Sequence, residues 1–131
     1  MSRWGLTIPL TGVPLARHQE IVSELEDLGF TDAWSAETNG TDAFTPLALA
    51  SQWAPGLRLG PAIVPVYTRG PALLAQQAAT IAGLAPGRFV LGIGTSSPAI
   101  VERWNAIPFT EPYQRVRDTL RFLRAGGVAP E

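Results

Sequence analysis

One arrangement recurs four times along this sequence: a short apolar run of strand length, followed by a segment with helical periodicity. The runs begin near positions 3, 31, 58 and 88, so that each follows the last by about 28 residues, a spacing typical of one strand and helix unit. They span residues 3–8, 31–36, 58–66 and 88–93. Alternation of this kind predicts an α/β fold with a parallel sheet.

Four such units are half of the eight that close a (β/α)8 barrel. The sequence therefore predicts a parallel (β/α)4 arrangement, the N-terminal half of such a barrel, as one partial domain over residues 1–131. A small four-stranded doubly wound layer is the alternative that the same pattern allows. A fifth strand would begin at residue 128, so we expect a truncated barrel whose open sheet edges favour a homodimer.

Each helical segment has an apolar face that we expect to pack on the sheet. The predicted inward residues are, in chain order, Ile21, Leu25 and Leu28; Phe44, Leu47 and Ser51; Leu74, Ala78, Ile81 and Ala85; and Tyr113, Val116, Leu120 and Leu123. Thr41 or Asp42 is predicted to cap the second helix, and Pro71 to begin the third. Gly126 and Gly127 are predicted to end the fourth.

Composition excludes several classes of function. The net charge of −1 gives no electrostatic case for binding nucleic acid or an anionic membrane. The sequence has no cysteine and one histidine, so no disulfide, thiolate metal site or multi-histidine metal site is predicted within the chain. No apolar run reaches the roughly 18 residues of a membrane span, and the first residues do not resemble a signal peptide. We therefore expect a cytoplasmic protein.

Polar residues follow three of the predicted strands. Glu37 and Thr38 follow the second, Tyr67, Thr68 and Arg69 follow the third, and Thr95 and Ser97 follow the fourth. The carboxyl ends of parallel strands meet at one mouth, where hydroxyls and backbone N–H groups suit a flat heteroaromatic ligand or an oxyanion. Glu37 is a candidate general base or ligand-orienting group; the alternative is a carboxylate in solvent or at a helix N-terminus. His18 is predicted to be a partly buried structural residue.

The segment GIGTSS after the fourth strand resembles part of a dinucleotide fingerprint but lacks its third glycine, which argues against a Rossmann site. Gly92 and Gly94 are instead predicted to let a ligand ring lie against the strand end. Pro61 and Pro65 fall within the third predicted strand, where a residue without an N–H group interrupts the ladder. The sequence therefore predicts a bulge or kink there.

Three segments together resemble the luciferase-like flavin-dependent family, most closely its coenzyme F420-dependent oxidoreductases. They are LGPAIVPVYTRGPALLAQQAA (59–79), APGRFVLGIGTSS (85–97) and WNAIPFTEPYQRVRDTLRFLR (104–124). The N-terminal WGLTIPL and the segment LGFTDAW also match, so the resemblance spans nearly the whole chain. It implies a (β/α)8 barrel that holds the deazaflavin F420 or FMN at the carboxyl mouth of its strands. The implied reaction is hydride transfer to or from a small organic substrate.

The resemblance also implies roles for particular residues. The family has a non-prolyl cis peptide in a bulge of the third strand, which corresponds here to the bond between Pro61 and Ala62. The cofactor ring is expected to contact Pro61, Ala62, Ile63, Val64, Thr95 and Ser97. Glu37 and Thr38 lie beside it as the candidate catalytic residues. Sugar-phosphate dehydrogenases of the family carry a histidine and a glutamate near Thr38 and Ser97, so that activity is not expected.

Two further interpretations stay open. The first is an FMN-dependent monooxygenase of the same family. The second is a non-catalytic half barrel that pairs with a second copy along its open edges. Full family members are more than twice as long and bind the cofactor phosphate in their second half. The resemblance therefore implies the ring side of a cofactor site without the tail side.

Overall fold

The computed structural model describes residues 2–126 of the chain. Its strands are β1 (Gly5–Thr7), β2 (Asp32–Ser35), β3 (Arg58–Pro61), β4 (Val64–Pro65) and β5 (Ile93–Gly94). Its α-helices are α1 (His18–Glu24), α2 (Phe44–Trp53), α3 (Pro71–Leu84) and α4 (Pro112–Arg124). A 3-10 turn, Leu15–Arg17, precedes α1, and a π-helical segment, Ala99–Trp104, precedes α4. The predicted Gly127 stop and the fifth strand lie outside the described residues.

All strand pairs are parallel, which confirms the α/β prediction. One sheet has the order β1-β2-β3, and β4 pairs with β5. The fourth predicted strand is regular only at β5, but its earlier residues still run along β3. The Val90 N–H donates to the Leu59 carbonyl at 2.9 Å, and the Gly92 N–H donates to the Pro61 carbonyl at 3.1 Å. The strands therefore follow one another across the fold in chain order.

The third predicted strand is divided between β3 and β4, as the two prolines predicted. A cis peptide bond joins Ala62 to Ile63 at the break, so the expected position between Pro61 and Ala62 was wrong by one residue. Pro61 keeps its regular register opposite Ser35, and the Ala62 N–H still donates to the Ser35 carbonyl at 2.6 Å. The hydrogen-bond ladder between β2 and β3 therefore continues to the Ala62 N–H, and the strand breaks after that residue.

The predicted helix faces are confirmed for α2 and α3. Their buried residues include Phe44, Leu47, Ser51, Leu74, Ile81 and Ala85, and Ala78 is half-buried. The Asp42 carboxylate accepts hydrogen bonds from the N–H groups of Phe44 and Thr45, both at 3.1 Å, and so caps α2. Pro71 begins α3 as predicted. α2 thereby packs on β2 and β3, and α3 packs beside α2.

On α1 the buried residues are His18 and Val22. Leu25, directly after the helix, is buried as predicted, and Ile21 is half-buried. Leu28 is 67% exposed, and its prediction was wrong because α1 ends at Glu24, which leaves Leu28 in the turn before β2. His18 is fully buried, not partly buried as predicted.

On α4 the buried residue is Thr119, with Val116 and Leu123 partly buried. Tyr113 is 76% exposed and Leu120 is also exposed, so both were wrongly predicted to face inward. The two lie on the same flank of the helix, and the buried face is rotated away from that flank toward Thr119. For an exposed helix, the periodicity of apolar residues does not by itself decide which of two adjacent flanks faces the sheet.

The amino end of the sheet is held by one buried carboxylate. Asp32 Oδ1 accepts hydrogen bonds from Arg3 Nη2 at 2.8 Å and from Arg58 Nε at 2.6 Å, and Thr31 Oγ1 donates to Oδ2 at 2.6 Å. Burial raises the pKa of Asp32, but these hydrogen bonds outweigh it and lower the pKa to about 2. The cluster joins β1, β2 and β3 at the end away from the predicted site. No helix within residues 2–126 is long and apolar enough to cross a membrane.

Candidate functional site

A cleft of about 450 Å³ lies at the carboxyl ends of β1 and β2, between residues 7–13 and residues 36–41. The Ile8 N–H donates to the Trp34 carbonyl at 2.8 Å, which brings the two strand ends together. His18 fixes the wall that follows β1: the Leu10 N–H donates to Nε2 at 2.8 Å, and Nδ1 donates to the Pro14 carbonyl at 2.9 Å. Because the Leu10 N–H needs an acceptor, the imidazole is the neutral Nδ1–H tautomer. His18 is therefore structural, as predicted.

Glu37 lies at the same mouth, at the point where β2 leads into α2. Its carboxylate forms a two-point ion pair with Arg69, in which Nη1 donates to Oε2 and Nη2 donates to Oε1 at 2.7 Å. Oε1 also accepts the Ala43 N–H at 3.0 Å, just before α2. The Arg69 guanidinium lies 4.9 Å from the centre of the Phe44 ring. The contact with the N-terminus of α2 is the alternative that the sequence left open. The ion pair with Arg69 joins the loop after β2 to the loop after β4.

The other polar candidates have different surroundings. Thr38 is exposed and lines the cleft. Thr95 directly follows β5, is half-buried and donates its hydroxyl to the Ser96 carbonyl at 3.3 Å. Ser97 Oγ accepts the Ile100 N–H at 3.4 Å, which leaves its own proton free to donate. Within residues 2–126, no hydrogen bond joins the pair Glu37 and Thr38 to Thr95 or Ser97.

The four residues of the strand break divide into two pairs. Pro61 and Val64 are buried in the core, whereas Ala62 and Ile63 are exposed. Pro61 and Val64 therefore hold the backbone, and the surface available to a ligand belongs to Ala62 and Ile63. The assignment of all four as ligand contacts stays a prediction.

The two glycines after the fourth predicted strand do not leave room for a ring. A Cβ atom at Gly92 would lie 2.3 Å from the Pro61 carbonyl oxygen, and one at Gly94 would lie 2.9 Å from Ile63 Cδ1. The space that the absent side chains leave is thus occupied by the third strand and by the Ile63 side chain. That prediction was wrong, because the glycines serve close approach of two strands.

The ring of a deazaflavin or flavin sets two requirements for the residues around it. Such a ring needs an apolar surface against one face and hydrogen-bond donors at its polar edge. Ile63 is 37% exposed and contacts Gly94, and the hydroxyls of Thr95 and Ser97 follow at the next positions. The Thr68 hydroxyl, in the loop after β4, is buried without a hydrogen-bond partner in the described part of the chain. The residues present fit the ring side of such a cofactor.

Sequence reasoning missed the roles of Arg69 and of the wall after β1. Arg69 follows the third predicted strand and has the charge opposite to that of Glu37 after the second, so the pairing of adjacent strand ends would have indicated the ion pair. The wall had no comparable signal, because it depends on the hydrogen bonds of His18. Among residues 2–126, no cluster of three or more histidine or carboxylate ligands is arranged to hold a metal ion.

Comparison with known proteins agrees with this geometry. A putative coenzyme F420-dependent oxidoreductase of Mycobacterium tuberculosis is 37% identical over 121 residues, which cover 92% of this chain and 35% of that protein. The chain thus spans about a third of that relative's length. Two solved structures share the fold. The F420-dependent tetrahydromethanopterin reductase of Methanopyrus kandleri has a TM-score of 0.77 at 24% identity, over 90% of this chain and 38% of its own.

The second structure is the oxygenating constituent of 3,6-diketocamphane monooxygenase from Pseudomonas putida, in complex with FMN. Its TM-score is 0.76 at 16% identity, over 92% of this chain and 38% of its own. The model of one family, luciferase-like monooxygenase, matches residues 4–126, nearly all of the chain. This match confirms the resemblance drawn from the sequence motifs, and the chain belongs to the luciferase-like monooxygenase family.

Proposed function

We propose that the chain forms the ring side of the site of an F420-dependent oxidoreductase that transfers hydride between the deazaflavin and a small organic substrate. The observation that carries this proposal is the exposed break at Ala62 and Ile63, which lies beside two hydroxyl residues at the carboxyl end of the sheet. The F420-dependent relative, which is 37% identical, supports the deazaflavin. When bound, the deazaflavin would supply the hydride chemistry.

The chain's own residues would bind and orient the reactants. Ala62 and Ile63 would offer an apolar surface to the ring. At its polar edge the Ser97 hydroxyl would donate and the Thr95 hydroxyl would accept. Thr38 would contact the substrate from the cleft. Glu37 has both carboxylate oxygens engaged, so its part is to hold the loops of the mouth in place rather than to remove a proton.

We further propose that residues 1–131 are the N-terminal half of a (β/α)8 barrel, as a single partial domain. The strands follow chain order, whereas a doubly wound sheet reverses its order near the middle. Within residues 2–126, β1 is paired on one side only, by β2. An open edge of this kind favours pairing with a second copy of the chain, which the same experiment tests.

The second candidate is an FMN-dependent monooxygenase of the same family. Its support is the shared fold with the FMN complex of the diketocamphane monooxygenase component. The rings of FMN and F420 both need an apolar surface and a hydrogen-bonding edge, so titration with each cofactor distinguishes the two candidates.

The experiment is a titration of the purified chain with F420 and, separately, with FMN, followed by cofactor fluorescence, with size-exclusion chromatography and light scattering alongside. The expected result is saturable binding of F420 that Ile63→Ser weakens by about five-fold or more, through loss of apolar contact. Leu84→Ser is the matched control, because Leu84 is similarly exposed but lies at the end of α3. A folded chain that binds neither cofactor, or equal losses in both variants, would refute the proposal. A monomer at every concentration would refute the homodimer.

A further inference from the structure

The cleft between residues 7–13 and 36–41 has an unusual lining for a polar recess. Twelve of the residues from 2 to 126 line it, and none of these twelve is charged. Five carry hydrogen-bonding side chains, namely Thr7, Thr11, Thr38, Asn39 and Thr41, and the others are apolar residues or glycine. Hydroxyl and amide groups both donate and accept, so they match a neutral ligand that has a carbonyl or hydroxyl group.

The charged side chains that follow β2 and β4 at this mouth are not available to an anion. Both terminal nitrogens of Arg69 donate to Glu37. Asp42 directly follows the lining residue Thr41 and bears a second carboxylate. Burial raises the pKa of Asp42, but hydrogen bonds from Thr45 and Phe44 and the charge of Arg69 outweigh it, so the pKa stays below its ordinary value. One guanidinium thus faces two carboxylates, and the rim is negative.

The cleft also has a fixed shape. The wall after β1 is held by the two hydrogen bonds of His18, and the wall after β2 is held where the Ser35 hydroxyl donates to the Ala43 carbonyl at 2.7 Å. Rigid walls without a counter-charge cannot rearrange cheaply around an ionised group, and burial of an unpaired carboxylate is costly. The uncharged lining and the negative rim therefore both disfavour an anionic ligand.

We infer that this cleft is the substrate subsite and that it selects uncharged substrates, of the alcohol, ketone or amide type, over carboxylates and phosphate esters. As a substrate subsite the cleft rests on the proposed function. Its preference for neutral groups rests on the uncharged lining and on the charges at the rim.

The test uses two probes of the same shape, cyclohexanecarboxamide and cyclohexanecarboxylate, titrated at pH 7 into the full ¹⁵N-labelled chain. Binding is read from the backbone amide shifts of Thr11, Asn39 and Gly40. We expect the amide to bind saturably and about ten-fold more tightly than the carboxylate. Equal or tighter binding of the carboxylate, or no shift of the cleft amides with either probe, would overturn the inference.

Asn39→Arg places a cation in the lining and should strengthen carboxylate binding by about five-fold or more. Ala82→Arg makes the same change in net charge at an exposed position on α3 and should leave both affinities unchanged. If the two variants respond alike, the selectivity does not arise in the cleft. The F420 and FMN titrations separate the two proposals: cofactor binding without preference for the amide refutes this inference alone, and preference for the amide without cofactor binding refutes the proposed function.

Discussion

Replacement of Asp32 by asparagine should destabilise the chain in a pH-dependent way. The Asp32 carboxylate is 3% exposed and accepts hydrogen bonds from Arg3, just before β1, from Arg58 on β3, and from Thr31. Asp32→Asn keeps the shape of the side chain but removes the charge that the two guanidinium groups share. The variant would then hold two cations close together with no anion between them.

The magnitude follows from the pKa of Asp32, which is lowered from 3.8 to about 2. That difference is worth about 2 kcal/mol at pH 7, after allowance for the screening of half-exposed guanidinium groups by water. Because the pKa is lowered on folding, this stability is present above about pH 4 and is lost as the pH falls toward about 2. The difference between the wild type and Asp32→Asn should therefore fall to about 1 kcal/mol at pH 3.

The assay is urea unfolding followed by tryptophan fluorescence at pH 7, 5 and 3. Asp118→Asn serves as the control, because the Asp118 side chain is 65% exposed and pairs with Arg117 at the surface. Its effect should stay below about 0.5 kcal/mol at each pH. A difference between wild type and Asp32→Asn that is as small as the control, or that is the same at pH 7 and pH 3, would refute the reasoning.

Four further substitutions test packing, loop anchoring and capping by the same unfolding assay. Gly60→Ala would place a methyl group 1.8 Å from a backbone carbonyl oxygen of the next strand, and should cost about 2 kcal/mol. A Cβ atom at Gly83, inside α3, would have no neighbour within 4 Å, so Gly83→Ala should instead raise the free energy of unfolding by up to about 1 kcal/mol. Loss of stability at both positions would contradict the packing argument. His18→Leu should cost about 2 kcal/mol and accelerate hydrogen exchange at the Leu10 amide, and unchanged exchange would show that the imidazole does not hold the wall. Asp42→Ala should cost about 1 kcal/mol through loss of the α2 cap, and a neutral effect would remove that role.

The sequence alone predicted the features that depend on a local pattern or on one residue type at one position. Alternation of strands and helices predicted the parallel α/β fold, and Pro71 predicted the start of α3 because its missing N–H costs nothing there. Thr41 or Asp42 was predicted as a cap because a short polar side chain accepts the free N–H groups of a helix start, and Asp42 does so. The family motifs were also sufficient for assignment to the luciferase-like family, because they occur in order along nearly the whole chain.

Tertiary contacts decided the features that depend on neighbouring strands. Pro61 and Pro65 indicated a break in the third strand, but the register with Ser35 placed the cis bond one residue later than expected. Gly92 and Gly94 were interpreted as space for a ligand, whereas the adjacent strand fills that space. Such contacts join residues about 30 positions apart, which no local pattern records.

The sequence by itself thus determined the fold class, the family and the set of polar residues at the mouth, since these follow from periodicity and from ordered motifs. Only the tertiary structure decided what those residues do. Glu37 is engaged by Arg69, a residue 32 positions away. The neutral cleft exists because His18 holds the loop after β1, while the Ile8 N–H bonds the end of β2. Several chain segments contribute to the charge and the shape of the site, so both arise only when the fold brings those segments together.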